Sequence, residues 1–476
     1  MLVYLCDAPY AKTRKLRGTY YFIVVNRFFI LTLSGNERRV LFMTDIELLY
    51  SCFCRSNGVT TDTRQCKEGM MFFALRGENF DGNRYAAEAL TKGCSYVVVD
   101  NSDYADENNP QMILVDDSLK ALQQLARHHR RYLGTKIVGV TGTNGKTTTK
   151  ELMAAVLKRR YHLLYTQGNL NNHIGVPLTL LQLTSSHEMA IVEMGANHPG
   201  DIKELVDIAE PDYGVITNVG MAHLQGFGSF DGVIRTKGEL YDYLRTTEQR
   251  TIFLNNDNAH LKAIADGLNA ICYGQTPSQE LCVAGEVTAC DPYLRFRWKC
   301  GDGDWREVST HIVGSYNIDN ALCAATVGTY FGVSAEDVSA ALAEYMPTNN
   351  RSQLTETERN TLVVDAYNAN PTSMRAALDN FARMEVSHKM AILGDMKELG
   401  EATAEAHQDV VDRLEACGFD EVWLVGEAFA QTKHAQRTFA DVEAVKEALQ
   451  QCPVEEYFIL IKGSNSMKLS SLVPYL

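Results

Sequence analysis

A glycine-rich segment that ends in Gly-Lys-Thr-Thr carries the residue types and spacing best suited to chemistry in this sequence. Residues 136–140 are apolar and predict a strand, residues 141–145 form a glycine-rich turn, and residues 151–159 have a helical pattern. This order is typical of loops that hold nucleotide phosphates, because backbone N–H groups and a helix N-terminus converge on the anion. In such a loop Lys146 would reach the outer phosphates and the Thr147 hydroxyl would hold Mg²⁺. An ordinary glycine-rich turn is the alternative, which the position between strand and helix disfavours.

One position departs from the general pattern of such loops. The pattern has a glycine where this chain has Val140, and the glycines stand instead at Gly139, Gly142 and Gly145. We nevertheless expect a site for a nucleoside triphosphate. The predicted nucleotide-binding residues of this segment are Thr141, Gly142, Thr143, Asn144, Gly145, Lys146, Thr147 and Thr148.

Further polar residues follow predicted strands, which is where ligands bind in open α/β sheets. Glu193 lies in an apolar run at residues 189–194, and a carboxylate there could bind Mg²⁺. His223 follows the predicted strand at residues 214–219, and Lys237 lies in a helical pattern beyond it. Taken singly, each has an ordinary alternative, namely a solvated loop acid, a structural histidine and an exposed helix lysine.

The bulk composition restricts the class of protein. A length of 476 residues corresponds to about three domains, and a net charge of −14 argues against a general nucleic-acid-binding protein. The 12 cysteines lack paired metal-ligand spacing apart from Cys52 and Cys54, so we expect reduced thiols in a cytoplasmic protein. No apolar run reaches the roughly 18 residues that a membrane helix requires, and we expect no stable membrane insertion.

The first 42 residues differ in composition from the rest of the chain. They hold seven Lys and Arg residues against Asp7 and Glu37, a net charge of +5 in a protein that is acidic overall. We expect translation to start at Met43, where a helical pattern begins, and residues 1–42 to be a non-native extension. A signal peptide and an interfacial membrane anchor are the alternatives for this segment.

Three blocks follow, and together they predict an α/β protein of three domains. Short strands and turns dominate residues 43–132, which we expect to be a small N-terminal α/β substrate domain. Strands alternate with helices over residues 133–346, which predicts a central domain with a mostly parallel sheet of the P-loop ATPase type. The alternation repeats over residues 347–476, after a turn-rich joint, and predicts a C-terminal Rossmann-like α/β domain.

Several motifs along residues 43–476 resemble those of the Mur ligases, which build the peptide stem of bacterial peptidoglycan. The phosphate loop of that family is similar to TGTNGKTT at residues 141–148, and it does not require glycine at the Val140 position. The other matching segments are QGNLNNHIGVP at 167–177, GSYNIDNAL at 314–322, NNR at 349–351, DAYNANPTSM at 365–374, LGDMKELG at 393–400 and KGSNSM at 462–467. Their joint occurrence identifies the chain as a member of this family.

The resemblance implies an ATP-dependent amide ligase that acts through an acyl phosphate and a tetrahedral intermediate. The NANP segment at 368–371 has no arginine after it, unlike the branch of the family that adds the third residue of the stem. The C-terminal motifs look most like those of the branch that joins D-alanyl-D-alanine to UDP-N-acetylmuramoyl-tripeptide (UDP-MurNAc-tripeptide). The third residue of that tripeptide, diaminopimelate or lysine, stays open. We expect a monomer.

The resemblance also implies roles for individual residues. Lys146 and two Mg²⁺ ions would offset the negative charge of the substrate carboxylate and the γ-phosphate. Thr147, Glu193 and His223 would be metal ligands, and Lys237 would be carbamylated. The implied catalytic residues are Lys146, Glu193, His223 and Lys237. The implied nucleotide contacts beyond the phosphate loop are Asn317, Asn320, Arg351 and Asp365. The implied substrate contacts are Thr61, Asp62, Thr63, Arg64, Asn169, Asn172, Asn368 and Asn370. For Arg64, a contact with the substrate diphosphate and a plain surface salt bridge are both open.

Two residues depart from the family pattern. Gln225 stands where many relatives carry glutamate, which removes a negative charge near the implied metals, and Tyr316 replaces the usual histidine. A catalytically inactive binding homologue is therefore one alternative to the ligase. A P-loop switch or motor is another, but it leaves the C-terminal motifs unexplained. We expect activity, because all the implied catalytic residues are present.

Overall fold

The computed structural model describes residues 21–25, 28–32, 38–42, 45–106, 108–348, 351 and 353–476, with side chains described from residue 45 onward. The chain forms two compact units. The first comprises Met1–Leu133 with Leu180–Gln182, and the second comprises Gly134–Thr179 with Leu183–Leu476. The expected translation start at Met43 and two residues of the NNR motif, Asn349 and Asn350, lie outside the described residues.

The first unit is built from short strands and three α-helices in its described part. The helices are α1 (Asp45–Phe53), α2 (Ala86–Thr91) and α3 (Ser118–Leu133). The strands are β1 (Tyr21–Val25), β2 (Phe28–Thr32), β3 (Arg38–Phe42), β4 (Val59–Thr60), β5 (Met71–Phe73), β6 (Arg76–Gly77), β7 (Phe80–Asp81), β8 (Tyr96–Val99) and β9 (Met112–Leu114). They form an antiparallel β1-β2-β3 sheet, a parallel β4-β5-β8-β9 sheet and a β6-β7 hairpin.

Helix α3 matches the amphipathic pattern that residues 119–132 show in the sequence. Its buried residues Leu122, Leu125, Ala126 and His129 recur at intervals of three and four, which places them on one face. The helix packs against α1, where the Tyr50 hydroxyl and Nδ1 of His129 share a hydrogen bond of 3.1 Å. The apolar positions of residues 119–132 therefore form the buried face of this helix.

The second unit contains a large sheet and a smaller one. The strands of the large sheet are β10 (Lys136–Thr141), β11 (Leu163–Tyr165), β12 (Met189–Glu193), β13 (Tyr213–Ile216), β14 (Thr251–Asn255), β15 (Asn269–Gly274), β16 (Leu281–Cys290), β17 (Tyr293–Cys300) and β18 (Arg306–Val313). The accompanying helices are α4 (Lys146–Leu157), α5 (Gly175–Leu180), α6 (Asp201–Ala209), α7 (Leu224–Phe227), α8 (Phe230–Arg245), α9 (Ala259–Ala263), α10 (Ile318–Tyr330) and α11 (Ala335–Glu344).

The order of the large sheet places the phosphate loop among parallel strands. The strands run β11-β12-β10-β13-β14-β15-β16-β17-β18, and neighbours pair in parallel from β11 to β16. The side chains of Ile137, Val138 and Val140 on β10 are fully buried, because helices cover both faces of a parallel sheet. The carboxyl ends of β10, β12 and β13 therefore meet at one edge, as the alternation of strands and helices predicts.

The sheet is mostly parallel, as predicted, and its last three strands depart from the alternation of strands and helices. Strands β16, β17 and β18 pair antiparallel and follow one another without helices. Along β17, Leu294, Phe296 and Trp298 are buried, whereas the basic residues between them are more exposed. This period of two is typical of a half-buried strand and was readable in the sequence as YLRFRWKC.

The smaller sheet is formed by the C-terminal part of the chain. Its strands are β19 (Gln353–Glu356), β20 (Thr361–Asp365), β21 (Lys389–Gly394), β22 (Glu421–Val425), β23 (Arg437–Phe439) and β24 (Phe458–Lys462). Its helices are α12 (Pro371–Arg383), α13 (Thr403–Cys417), α14 (Glu427–Ala430) and α15 (Val442–Gln451). The order is β19-β20-β24-β21-β22-β23, and within the described part of this sheet the β19–β20 pair is antiparallel and the other pairs are parallel.

Helices cover this sheet on both faces. Leu393 and Leu460 belong to one core, and Ile392 and Ile461 belong to another, since successive side chains of a strand point to opposite faces. Continuous apolar runs in the sequence correspond to four of these strands, namely β20, β21, β22 and β24. Among the described residues, no helix has both the length and the apolar character needed to cross a bilayer.

Candidate active site

The phosphate loop connects β10 to α4 through two glycines with positive φ. Gly142 has φ +142° and Gly145 has φ +77°, and Gly145 is the residue immediately before the first turn of α4. A Cβ atom at Gly142 would lie 2.0 Å from Oγ1 of Thr217, and one at Gly145 would lie 2.6 Å from Oδ1 of Asn320. Both positions therefore require glycine for conformation and for space.

Asn218, which follows β13, holds the loop from the neighbouring strand. Its carbonyl accepts from the Thr143 N–H at 2.9 Å, and its Oδ1 accepts from the Asn144 N–H at 2.9 Å. Lys146 donates from Nζ to the carbonyls of Gly142 and Thr143 at 2.9 and 3.0 Å. The loop thus has a fixed shape, with its cation at the start of α4.

The Lys146 ammonium is poorly solvated. Burial lowers the pKa of Lys146 to about 8, against the opposing effect of the Glu193 carboxylate, and the Arg351 guanidinium lowers it further. A bound polyanion would favour the charged form and reverse this shift. The electrostatics of the loop therefore suit a phosphate ligand.

Glu193 ends β12 with one oxygen satisfied and one not. The residue is 1% exposed. Its Oε1 accepts from the Thr147 hydroxyl at 3.2 Å and from Nδ2 of Asn171 at 2.8 Å. Its Oε2 is buried and accepts no hydrogen bond from the described residues. Because a buried carboxylate oxygen without a donor is unfavourable, this oxygen suits a cation, and Thr147 and Glu193 together offer the oxygen ligands that Mg²⁺ prefers.

Lys150, which is not among the predicted site residues, lies beside this carboxylate. Its Nζ is fully buried, donates to the Thr166 carbonyl at 2.7 Å, and lies 2.9 Å from Oε1 of Glu151 and 3.8 Å from Oε2 of Glu193. The residues next to it in the sequence, Thr149 and Glu151, do not indicate that its side chain faces inward. Its position four residues after Lys146 does, because residues four apart lie on the same face of a helix.

His223 lies between the two sheets of the second unit. Its Nδ1 is buried and forms an ion-pair contact with Oε2 of Glu398, a residue that follows β21 of the smaller sheet, without hydrogen-bond geometry to any described residue. Burial lowers the pKa of His223, the Glu398 carboxylate raises it, and the charges of Lys146 and Lys237 lower it. No group of three or more His, Cys, Asp or Glu side chains in the described part of the chain is placed to hold a metal. A role for His223 near Mg²⁺ would thus require oxygen ligands from a substrate.

Lys237 is a buried amine on α8. It is 2% exposed, its Nζ donates to the Ala196 carbonyl at 3.4 Å, and it lies 5.1 Å from the ring centroid of Phe227. Burial and the charge of Lys146 lower the pKa of Lys237 well below its usual value. The neutral amine is therefore more accessible here than in an exposed lysine, and a neutral amine is a nucleophile.

The C-terminal sheet supplies a second set of polar residues. The Arg351 guanidinium lies 3.8 Å from the ring centroid of Tyr367. Oδ2 of Asp365 accepts from Nζ of Lys462 at 2.6 Å, and Lys462 is 2% exposed. Lys462 begins the KGSNSM motif but is not among the predicted site residues.

A hydrogen bond joins the phosphate loop to the C-terminal sheet. Nδ2 of Asn370 donates to Oδ1 of Asn144 at 2.7 Å. Asn370 is also the N-cap of α12, where its side chain accepts from the Ser373 N–H at 2.9 Å. One asparagine therefore fixes both the start of a helix and the contact between the two sheets.

Asn317 and Asn320 lie at the start of α10 and are linked to the phosphate-loop helix. Nδ2 of Asn320 donates to Oδ1 of Asn317 at 2.8 Å, and Oδ1 of Asn320 accepts from the Thr149 hydroxyl at 2.9 Å. Tyr316, the residue that departs from the family pattern, lines the same cavity as these two asparagines.

A cavity of about 770 Å³ brings most of these side chains together. The predicted site residues that line it are Thr143, Asn144, Gly145, Lys146, Thr148, Asn169, Asn172, Glu193, His223, Asn317, Asn320, Arg351, Asp365 and Asn368. Five predicted residues of this unit are outside the described lining, namely Thr141, Gly142, Thr147, Lys237 and Asn370. Three of these form a hydrogen bond with a residue that lines the cavity: Thr147 with Glu193, Lys237 with Ala196, and Asn370 with Asn144.

Gln225 follows His223 by two residues but faces the loop after β21. It is the second residue of α7, and its Cβ lies 3.5 Å from the position of a Cβ on Gly400. Its backbone N–H donates to the Glu398 carbonyl at 3.3 Å. Gln225 therefore contacts the loop after β21, and it is not among the described residues that line the cavity.

The remaining predicted substrate residues, Thr61 to Arg64, lie in the first unit. Asp62 caps a short turn, and its carboxylate accepts from Nε and Nη2 of Arg64 at 3.0 and 2.7 Å. The Arg64 side chain is 87% exposed, and its hydrogen bonds lower the pKa of Asp62 to about 2. The structure thus shows the surface salt bridge, and the contact of Arg64 with a diphosphate stays a prediction.

Comparison with known proteins tests the resemblance seen in the motifs. Three family models match the chain: "Mur ligase family, catalytic domain" at residues 55–130, "Mur ligase middle domain" at 140–328 and "Mur ligase, glutamate ligase domain" at 350–465. A curated relative from Bacillus subtilis, named UDP-N-acetylmuramoyl-tripeptide–D-alanyl-D-alanine ligase, is 35% identical over 428 residues, which are 88% of this chain and 92% of the relative.

Two solved structures have the same fold over nearly their whole length. MurF from Acinetobacter baumannii matches with a TM-score of 0.78 and 27% identity, covering 90% of this chain and 97% of that one. MurF from Thermotoga maritima in complex with ADP matches with a TM-score of 0.78 and 25% identity, covering 91% and 98%. Together with the phosphate loop and the cavity beside it, these matches show that the chain belongs to the Mur ligase family.

Proposed function

We propose that the protein is an ATP-dependent amide ligase that joins D-alanyl-D-alanine to UDP-N-acetylmuramoyl-tripeptide, forming the pentapeptide, ADP and phosphate for peptidoglycan synthesis. The observation that carries the proposal is the single cavity lined by Lys146 and Glu193 from the large sheet and by Arg351 and Asp365 from the smaller one. The name of the Bacillus subtilis relative and the ADP complex of the Thermotoga maritima structure support the choice of substrates and nucleotide.

The reaction requires activation of a carboxylate. An oxygen of the tripeptide carboxylate attacks the γ-phosphorus of ATP, the bond to the ADP oxygen breaks, and an acyl phosphate forms. The amine of the dipeptide then attacks the acyl carbon to give a tetrahedral intermediate, which collapses with loss of phosphate. A cavity that holds a triphosphate, a carboxylate and an amine together supports both steps by proximity.

In the first step the substrate carboxylate and the γ-phosphate, both anions, must approach each other, and positive side chains of the cavity would offset their repulsion. Two unit charges about 4 Å apart repel by roughly 4 kcal/mol at an effective dielectric constant of about 20. Lys146 from the phosphate loop and Arg351 from the C-terminal sheet both line the cavity in which the two anions would meet. They would bind the transferring phosphoryl group and stabilise its charge in the transition state.

The donor set near Glu193 fits the two Mg²⁺ ions that we propose as cofactors. Thr147 and Glu193 would hold one ion, and Glu193, His223 and the Lys237 region would hold or orient the second. The unsatisfied Oε2 of Glu193 is the observation that supports this assignment. When bound, Mg²⁺ neutralises charge on the β- and γ-phosphate oxygens.

We propose further that Lys237 is carbamylated. Its buried neutral amine would attack carbon dioxide, forming an N–C bond with loss of one proton, so that a neutral group becomes an anion. An ammonium at this position would repel Mg²⁺ and Lys146, whereas a carbamate would attract both. The depressed pKa of Lys237 and its full burial support this modification.

Each of the three predicted domains would have its own role in this reaction. We assign residues 43–132 to the UDP-sugar end of the substrate, with Thr61, Asp62, Thr63 and Arg64 as contacts, and residues 133–346 and 347–476 to the ATP and ligation domains. Asn169, Asn172, Asn368 and Asn370 would contact the peptide part of the substrates. We expect a monomer acting in the cytoplasm, which size-exclusion chromatography with light scattering and cell fractionation would check.

A substrate-omission experiment tests the function. Full-length protein is incubated with ATP, Mg²⁺, UDP-MurNAc-tripeptide and D-alanyl-D-alanine, and phosphate release and product mass are followed. We expect release only with all components present, together with a product whose mass is that of the pentapeptide. Phosphate release that does not depend on the dipeptide would indicate a hydrolytic switch or motor, and no release at all would indicate an inactive homologue.

A further inference from the structure

The loop that follows β21 contacts the large sheet through Glu398. We propose that Glu398 is a positioning residue that holds His223 in its working orientation and so links docking of the C-terminal sheet to formation of the active site. The proposal rests on the proposed function, since it assigns His223 a role in the ligase reaction. It also gives a task to the LGDMKELG motif, which the catalytic assignments above leave unused.

The loop around Glu398 is anchored on its own sheet at three successive residues. The buried carboxylate of Asp395 accepts from the Phe429 N–H at 3.1 Å. The N–H of Met396 donates to Nε2 of His407 at 3.0 Å, and the N–H of Lys397 donates to the Ser464 hydroxyl at 3.0 Å. The next residue, Glu398, is therefore presented from a fixed base.

Glu398 contacts the large sheet in two ways. Its Oε2 lies against Nδ1 of His223, and its backbone carbonyl accepts from the Gln225 N–H at 3.3 Å. Two residues further along, a Cβ added at Gly400 would lie 3.5 Å from the Cβ of Gln225, so the two residues are close neighbours. The segment from His223 to Gln225 is thus held by one side-chain contact and one backbone hydrogen bond from the same loop.

Both partners of the side-chain contact have an unusual backbone. Glu398 has φ +65° and His223 has φ +51°, in the left-handed region that residues other than glycine seldom adopt. Such conformations persist only where surrounding contacts enforce them, and they concentrate at functional sites. Here the strained residues face each other across the contact between the two sheets.

The contact reaches the active site through His223, which lines the cavity with Lys146 and Glu193. A carboxylate on one ring nitrogen fixes the orientation of an imidazole and makes it a better ligand, and loss of such a partner typically costs about 10–100-fold in activity. When the C-terminal sheet is docked, Glu398 supplies this partner. When it is not docked, His223 would lose it.

A double-mutant cycle tests the coupling. Turnover is measured for the wild type, Glu398→Ala, Glu398→Gln, His223→Ala and the double variant, with Glu401→Ala as a matched control because Glu401 is an exposed glutamate near the same loop. We expect Glu398→Ala to lower kcat by about 10–100-fold with a smaller change in KM for ATP. Glu398→Gln keeps an acceptor oxygen and should fall between, and Glu401→Ala should match the wild type.

The cycle separates positioning from a general structural role. If Glu398 acts through His223, its replacement should cost nothing further in the His223→Ala background. An equal loss in both backgrounds, or unchanged turnover of Glu398→Ala, would overturn the proposal. Circular dichroism checks folding, and if Glu398→Ala is unfolded, Glu398→Gln takes its place in the cycle. A wild type that does not ligate would refute the proposed function instead.

A cross-link reports docking without reference to activity. A Cβ at Gly400 would lie 3.5 Å from the Cβ of Gln225, which is within the range of disulfide-bonded cysteines. The Gln225→Cys/Gly400→Cys variant should therefore oxidise to a disulfide that peptide mass spectrometry identifies. Adding Glu398→Ala should slow its formation. Equal rates with and without Glu398 would show that the side-chain contact does not stabilise docking, contrary to the proposal.

Discussion

Replacement of Lys146 by methionine should abolish activity. It should also remove the pH-dependent destabilisation of the folded state that the buried ammonium causes. The side chain keeps its length but loses the ammonium, which burial holds in an unfavourable charged state. The variant also loses hydrogen bonds to the carbonyls of Gly142 and Thr143. The pH-independent part of that loss is the same at every pH, so the change of the stability difference with pH reports the titration of the Lys146 ammonium.

The magnitude follows from the pKa. The pKa of Lys146 is about 8 in the folded protein against a usual value of 10.5, and this difference corresponds to about 3 kcal/mol. Below pH 8 both the folded and unfolded states are protonated, and the full cost is present. Between the two pKa values the folded state has released its proton while the unfolded state retains it, so stability rises with pH. From pH 7 to pH 9.5 the wild type should gain about 2 kcal/mol relative to Lys146→Met.

Urea unfolding of the two proteins at a series of pH values measures this difference, in nucleotide- and metal-free buffer with EDTA. Lys136→Met, which removes an exposed lysine from the start of β10, serves as the matched control. In the ligase assay, kcat/KM for ATP of the wild type should fall above about pH 8, because the free enzyme loses the cation that attracts the phosphates. A stability difference that stays constant with pH, or falls, would refute the reasoning.

Three further substitutions test other parts of the site. Lys237→Ala should lose turnover and recover part of it when a short carboxylate such as acetate is added, because the acid replaces the carbamate; turnover like that of the wild type would remove the carbamate from the mechanism. Glu193→Gln should lower kcat by roughly 100-fold and raise the Mg²⁺ concentration needed for half-maximal rate, and an unchanged Mg²⁺ dependence would contradict its role as a ligand. Asn370→Ala should lower the free energy of unfolding by about 1 kcal/mol through loss of the α12 cap and raise KM for substrates through loss of the bond to Asn144. Asn370→Asp, which keeps the cap, should restore most of the stability and little of the KM.

The parallel strands and the phosphate loop could be predicted because their signals are local. Strand β10 is a short apolar run followed by glycines whose positive φ permits a tight turn into α4. Glu193 could be proposed because parallel strands place their carboxyl ends at one edge of the sheet. The motifs around Arg351 and Asp365 added the C-terminal side of the cavity.

The missed features depend on tertiary contacts. Lys150 reads as an ordinary helix lysine, and only the packing of α4 against β12 turns it towards Glu193. Glu398 lies far from His223 in the sequence, so its contact depends on how the two sheets dock. The antiparallel strands β16–β18 were missed for a different reason: their alternation was present, but the repeat of strands and helices before them favoured a continued parallel sheet.

The central claim is that the γ-phosphate of ATP activates the carboxylate of the tripeptide in the cavity of the second unit. The most direct test labels both oxygens of that carboxylate with the heavy oxygen isotope and follows one round of ligation by mass spectrometry of the phosphate. The account predicts one labelled oxygen in each phosphate released, with the other retained in the new amide. Ligation accompanied by unlabelled phosphate would contradict the acyl phosphate and with it the role assigned to this site.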